Sequence, residues 1–171
     1  DDQTFLKDWA AGQLLADERT VRVKAKRSDT NEATEDGQGI ITETRDGFYE
    51  IEVENRGQSP IEDLEIVWKV RINRTTVGST DERRVEDWEE GTIRRVNVPV
   101  RQKVELKTDL IPLVESRLKP GWRWTNGAPA MSRDKLDGVY LALRHKGRTV
   151  REYGLPSSMI DAVKELEREE K

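Results

Sequence analysis

The sequence predicts a mainly β protein, an antiparallel β-sandwich with a short helix at its N-terminus and another at its C-terminus. Two observations carry this. Val21, Val23 and Ala25 alternate with Arg22, Lys24 and Lys26, and the same period of two returns along the chain in about seven short runs, the number a sandwich needs. Turn-forming stretches separate the runs, such as Asn-Arg-Gly-Gln-Ser-Pro at 55–60. Strands that alternate in this way keep one face in water, which excludes a doubly wound parallel sheet, whose strands are apolar throughout.

Taken in order, residues 4–17 place Phe5, Leu6, Trp9, Ala10, Gln13 and Leu14 at helical spacing, which predicts a helix with one apolar stripe. Gly12 inside it costs about 1 kcal/mol relative to Ala. The first strand follows at 21–26. Residues 28–38 carry Asp29, Glu32, Glu35 and Asp36 without a base and read as a polar loop. A short strand is expected at 40–45, a turn at Asp46-Gly47, and a strand placing Tyr49, Ile51 and Val53 opposite Glu50, Glu52 and Glu54. The next strand sets Ile66, Trp68, Val70 and Ile72 on one face. Residues 76–90 are highly charged and read as strands or a long irregular connection. Val96, Val98, Val100, Val104, Leu106 and Leu110 then mark one long strand or two joined near 101–103, with Pro99 at an edge or bend. Residues 116–135 read as a connection. Val139, Leu141 and Leu143 alternate before Lys146-Gly147 turns the chain into a hairpin partner at 149–153. Ser157 or Ser158 caps a last helix, with Met159 or Ile160, Val163 and Leu166 on its apolar face. One domain is expected overall: a helix at 1–18, the sandwich at 19–155 and a helix at 156–171.

Composition narrows the function classes. Of 171 residues, 30 are Lys or Arg and 34 Asp or Glu, giving a net charge of -4. A pI near 5.3 argues against nucleic acid as a partner, since that needs concentrated positive charge. There is no Cys and a single His, so thiolate catalysis, disulfides and multi-His metal sites are not expected, and neither is a cofactor. No stretch of about 18 apolar residues spans a bilayer. The chain starts without Met and without a basic-plus-apolar leader, as a chain whose export signal has been removed would.

Two sets of residues carry a resemblance. Trp68 lies centrally on the strand after the 55–60 turn, where an immunoglobulin-like domain keeps its core Trp. The run Asp-Gly-Val-Tyr-Leu-Ala at 137–142 resembles that family's tyrosine corner, with Tyr140 as the Tyr and Ala142 at the usual Cys position. Its Asp-to-Tyr spacing is one residue shorter than the family's. The resemblance covers roughly residues 49–153 and implies an immunoglobulin-like sandwich in which Trp68 and Tyr140 are structural. The ending is similar to that of small secreted immunoglobulin-like proteins of verrucomicrobial, Akkermansia-type bacteria that are encoded beside type IV pilus components; the matching residues are Leu136-Asp137-Gly138-Val139 and the Glu-Tyr-Gly-Leu-Pro-Ser-Ser run at 152–158. That resemblance implies a periplasmic, outer-membrane-associated or extracellular location, a protein partner in the envelope and a pilus-related role.

Candidate sites are few. Trp122-Arg123-Trp124, after Pro120-Gly121, sets two indoles two residues apart around a cation. Such a pair can bind a glycan or a partner's apolar side chain, or else cap the open end of the sandwich. The acidic run from Asp29 fails the EF-hand pattern: Thr34 and Ile40 stand where Gly and Glu are required. His145 has no nucleophile or carboxylate at a catalytic spacing and reads as a solvated turn residue. Gly37-Gln38-Gly39 lacks the rest of a phosphate loop. Arg94-Arg95 and the basic positions at 22–27 read as solvated strand faces. The expectation is therefore a non-enzymatic interaction or structural module, with a carbohydrate-binding module using Trp122 and Trp124 as the alternative. The terminal helices are expected to pack together on one sheet or to face a partner.

Overall fold

The computed structural model describes residues 2–80 and 85–169, with residues 2–8 described by their backbone alone. The elements in chain order are α1 (Asp2–Ala16), β1 (Val21–Asp36), β2 (Ile40–Asn55), β3 (Ile61–Arg74), β4 (Val85–Val98), β5 (Lys103–Lys107), β6 (Ile111–Leu118), β7 (Met131–Arg133), β8 (Lys135–His145), β9 (Arg148–Leu155) and α2 (Met159–Glu169). They form a mainly β sandwich of two antiparallel sheets with a helix near each terminus. One sheet has the order β1-β2-β6-β7 with β5 also on β2, and the other β4-β3-β8-β9.

The sheets face each other through the apolar halves of their strands. Val23, Ile51 and Val53 of the first sheet join Ile66, Trp68, Val70, Leu141 and Leu143 of the second in one buried cluster. Each such side chain contributes about 1.5–3 kcal/mol on full burial. The outward halves account for much of the charge. On the first sheet the register aligns Arg22, Glu54 and Lys103 in one row, Lys24, Glu52 and Glu105 in the next, and Lys26, Glu50 and Lys107 in a third. Lys103 Nζ stands 2.8 Å from Glu52 and 3.1 Å from Glu105.

The structure differs from the sequence reading in several places. Residues 29–36 are not a loop but the second half of β1, paired with residues 41–47 of β2 across a bulge between Thr30 and Ala33. Asp46-Gly47 is not a turn: β2 runs through it unbroken, and Gly47 lies so close beneath Leu113 and Leu136 that an added Cβ would stand 2.7 Å from Leu113 Cδ1. The valine-rich run at 96–110 takes the second of its two expected forms, two strands, here in different sheets and separated by a turn at 99–102 in which Gln102 N–H donates to the Pro99 carbonyl at 3.2 Å. Pro99 is thus at a bend, as its missing N–H requires. Residues 116–135 hold the end of β6, all of β7 and the start of β8. Of the charged stretch at 76–90, residues 81–84 lie outside the described residues.

The helices also depart from expectation. They do not share one hydrophobic cluster. Leu15 of α1 joins the main core, whereas Met159 and Val163 of α2 meet Tyr140 and Ala142 on the outer face of the second sheet. That cover buries β8 on both faces from Val139 to Leu143, so its sequence alternation does not leave one face wet. Among the described side chains of α1, Leu15 is buried, while Trp9 and Leu14 of the expected stripe are exposed. The side chains of Phe5 and Leu6 lie outside the described residues. Arg151 on β9 donates to the Val21 carbonyl and so ties the edges of the two sheets together. Among the described residues, no helix is long and apolar enough to cross a membrane.

Candidate functional site

The connection between β6 and β7, residues 119–130, holds the tryptophan pair and is anchored at both ends. Leu118 N–H donates to the Ala130 carbonyl at 2.8 Å, and Lys119 N–H to the Gly39 carbonyl at 3.0 Å. The Lys119 ammonium also pairs with Asp36. Gly37 and Gly39 close the β1–β2 hairpin, where Gly37 N–H donates to the Ile40 carbonyl at 2.9 Å. This answers for the glycines at 37–39 as turn chemistry.

The two indoles are held by different neighbours. Trp122 lies against Gly39, whose φ is +81°, and an added Cβ there would stand 2.6 Å from ring atom Cε3. Only Gly fits that approach and that backbone conformation. Trp122 nevertheless keeps 54% of its surface exposed. Trp124 is half-buried and reaches Gly78 in the β3–β4 connection, 3.5 Å from where a Cβ would stand. Asn126 Nδ2 donates to the Gly78 carbonyl at 2.9 Å. Arg123 between them is exposed. The segment therefore joins the tip of the β1–β2 hairpin to the β3–β4 connection, and presents Trp122 and Arg123 outward.

Asp134, absent from the sequence reading, fixes the base of this assembly. It is the single residue between β7 and β8, where the chain passes from one sheet to the other, and its side chain is 7% exposed. Its carboxylate accepts from Arg74 Nη1, the Thr75 N–H and the Val114 N–H, each at 3.2 Å. Arg74 Nε in turn donates to Asp87 at 2.8 Å, which holds the Asp87 carboxyl below the usual carboxylate range. Thr75 Oγ1 accepts from the Arg133 N–H at 2.7 Å. The only sequence signal was an acid one residue before a strand, and acids are too numerous here for that to single one out.

The remaining candidates lie elsewhere in the fold. Trp68 is buried among the core residues of β3. The Tyr140 hydroxyl does not bond back to backbone: it donates to Glu152 Oε1 on β9 at 2.8 Å, beneath α2. Burial and the neighbouring Glu152 carboxylate push its ionisation well above the ordinary tyrosine value. Asp137 pairs with Arg71 at 2.6 Å. Of the acids at 29–36, Asp29 is met by Arg45 at 3.5 Å and Asp36 by Lys119. Among the described residues no three His, Asp or Glu side chains converge as ligands for a metal. His145 is not a solvated turn residue. It ends β8 half-buried, and its Nδ1 is enclosed with no hydrogen-bond partner among the described residues. Arg94 pairs with Glu65 at 3.5 Å, in keeping with a strand face.

No family model matches the chain, and no curated sequence matches it. Among solved structures, it is similar to Northeast Structural Genomics Consortium target SoR45, at 10% identity over 80% of this chain and 81% of that one, with a TM-score of 0.38. A second is a β-glucuronidase from glycoside hydrolase family 2, at 17% identity over 72% of this chain but 10% of the enzyme, with a TM-score of 0.31. A third is a crystal structure from Akkermansia muciniphila, at 12% identity over 78% of this chain and 70% of that one, with a TM-score of 0.27. Likenesses this distant carry no function across, and what the chain does is read from its own surface.

Proposed function

We propose that the chain is a non-enzymatic, immunoglobulin-like interaction module that is exported and works in the bacterial cell envelope, in a role allied to type IV pili. The sheet order β4-β3-β8-β9, with Trp68 on the central β3, supports the immunoglobulin-like reading: it parallels the C′-C-F-G sheet of that fold. The observation that carries an interaction role is the loop end. Two connections converge on residues 119–130, Asp134 holds the start of one of them through the Thr75 N–H, and a large aromatic is left outward against Gly39. Sandwiches commonly carry recognition on such loop clusters.

The test compares the wild-type chain with Trp122→Ala and Arg123→Ala in cross-linking to envelope extracts. The reading expects a defined partner that the variants lose while their melting temperature stays unchanged. Identical recovery by wild type and variants would overturn it. A second reading, a carbohydrate-binding module using Trp122 and Trp124, is favoured by the exposure of Trp122 alone. Because the two indoles lean on different loops, it requires a glycan that bridges them; a glycan array with no binding removes it.

A further inference from the structure

Beside the loop end, a cleft of about 260 Å³ opens where the β1–β2 hairpin leaves the second sheet; its cations are Arg27, Arg45, Arg133 and Lys135, and its one acid is Asp29. Two of these cations are answered by carboxylates: Arg45 by Asp29 at 3.5 Å, and Arg133 by Glu115 at 3.0 Å. The other two are not. Arg27 Nη1 donates to the Leu136 carbonyl at 3.2 Å, a neutral acceptor, and Lys135 has no partner among the described residues. The floor is Gly47 beneath Leu113 and Leu136, both buried, so the cations stand on packed core. In a chain of net charge -4, this is a local surplus of positive charge with strands β1 and β8 holding it in place.

The cleft does not end there. A second groove of about 320 Å³ shares Arg133 and Lys135 and continues past Asn73, Thr75, Ser132 and Met131. Its amide and hydroxyl groups suit a peptide main chain, and Met131, 49% exposed, offers an apolar contact to a side chain. We infer that this double groove binds an acidic peptide segment, with a carboxylate between Arg27 and Lys135 and the adjoining main chain along residues 131–133. Charge-assisted bonds from a guanidinium and an ammonium select the carboxylate, and the neutral groove beside them selects an extended chain over a bare anion. These residues are distinct from Trp122 and Arg123, so this inference and the loop-end reading can fail separately.

The test uses the whole chain and a fluorescein-labelled peptide of alternating Glu and Ala, followed by anisotropy at low salt. The expected result is saturable binding that weakens about tenfold when Gln replaces Glu in the peptide, and by a similar factor in Arg27→Gln/Lys135→Gln. Lys135→Gln alone, which breaks no bond within the fold, is expected to weaken binding as well and covers the case of a misfolded double variant. Equal binding of the Gln peptide, or unchanged binding by Lys135→Gln, would overturn the inference. So would displacement of the peptide by an equal concentration of inorganic phosphate, which would mean a small-anion site, or tighter binding of a single-stranded oligonucleotide.

Discussion

The indole of Trp68 lies across Gly91, the residue directly opposite it on β4: a Cβ added to Gly91 would stand 2.4 Å from ring atom Cζ2. Trp68 is only 2% exposed, so the ring has little room to withdraw. A glycine inside a strand normally weakens it. Here its bare backbone is the surface on which the largest core side chain rests.

Gly91→Ala is therefore expected to destabilise the fold by about 1–3 kcal/mol, the usual cost of overpacking a core. Elsewhere in a strand the same change stabilises slightly, because Gly is the more costly residue to order. Urea unfolding of Gly91→Ala in the wild-type and Trp68→Phe backgrounds checks the cause. Phe lacks the indole atoms that meet the new methyl, so the substitution should cost less there, a coupling of neighbours. An equal cost in both backgrounds would show that the ring is not responsible.

The seat of α2 gives a second expectation. Met159 is fully buried, and an added Cβ at Gly138 would stand 2.4 Å from its Sδ. Met159→Ala should cost about 2–5 kcal/mol. Removal of residues 159–171 should cost more, since it bares Tyr140 and Ala142. Differential scanning calorimetry reads both. A truncated chain that melts with the full one would mean that α2 merely rests on the sheet.

How far the sequence could be read follows from what each signal depends on. Period-two alternation gave the strands around Val23, Ile51, Trp68 and Leu141 because each has one face inward, whatever its partner. The same rule failed at Tyr140 and Ala142, where a helix more than fifteen residues on covers the second face. Gly47 read as a turn because Asp-Gly is a turn pair in isolation. In the fold it is the place where β2 passes under Leu113 and Leu136, a long-range packing requirement with no local sign. The polar half of β1 has no apolar side to give it a period, and its pairing with β2 is what makes it a strand. For the candidate sites, the Trp pair was visible as composition, but its two separate supports, Gly39 and Gly78, were not. The cations of the groove were dispersed over β1, β2, β7 and β8 and came together only through topology.

Asp134 should be among the least replaceable polar residues. Its carboxylate satisfies two backbone N–H groups and the Arg74 guanidinium at the passage between sheets. Asp134→Ala leaves those donors without their acceptor and is expected to cost about 3–5 kcal/mol. Asp134→Asn keeps the shape but not the charge and should fall between Ala and wild type. Hydrogen exchange offers a local reading: the Thr75 and Val114 amides should exchange faster in both variants. Unchanged exchange at these two amides would show that the carboxylate does not hold the crossover.

Stability should fall at both ends of the pH scale, for different groups. Hydrogen bonds from Arg74, Lys103 and Arg56 hold the Asp87, Glu52 and Glu54 carboxyls below their ordinary values. Their contribution is present above about pH 4, where the unfolded groups are ionised, and is lost as pH falls through the folded values. Burial raises Tyr49 and Tyr140, and Glu152 raises Tyr140 further. For these the folded state holds its protons longer, so stability is complete below about pH 10 and is lost as pH rises beyond it. Tyr140→Phe isolates one group. At pH 7 the variant should be less stable by about 1 kcal/mol for the missing bond to Glu152. Above about pH 10 the wild type must keep Tyr140 protonated to stay folded, whereas the variant has no such proton to hold, so the gap between them should close. Urea midpoints measured from pH 7 to 11 test this directly, and a gap that stays constant would mean that Tyr140 ionises as freely in the fold as in the unfolded chain.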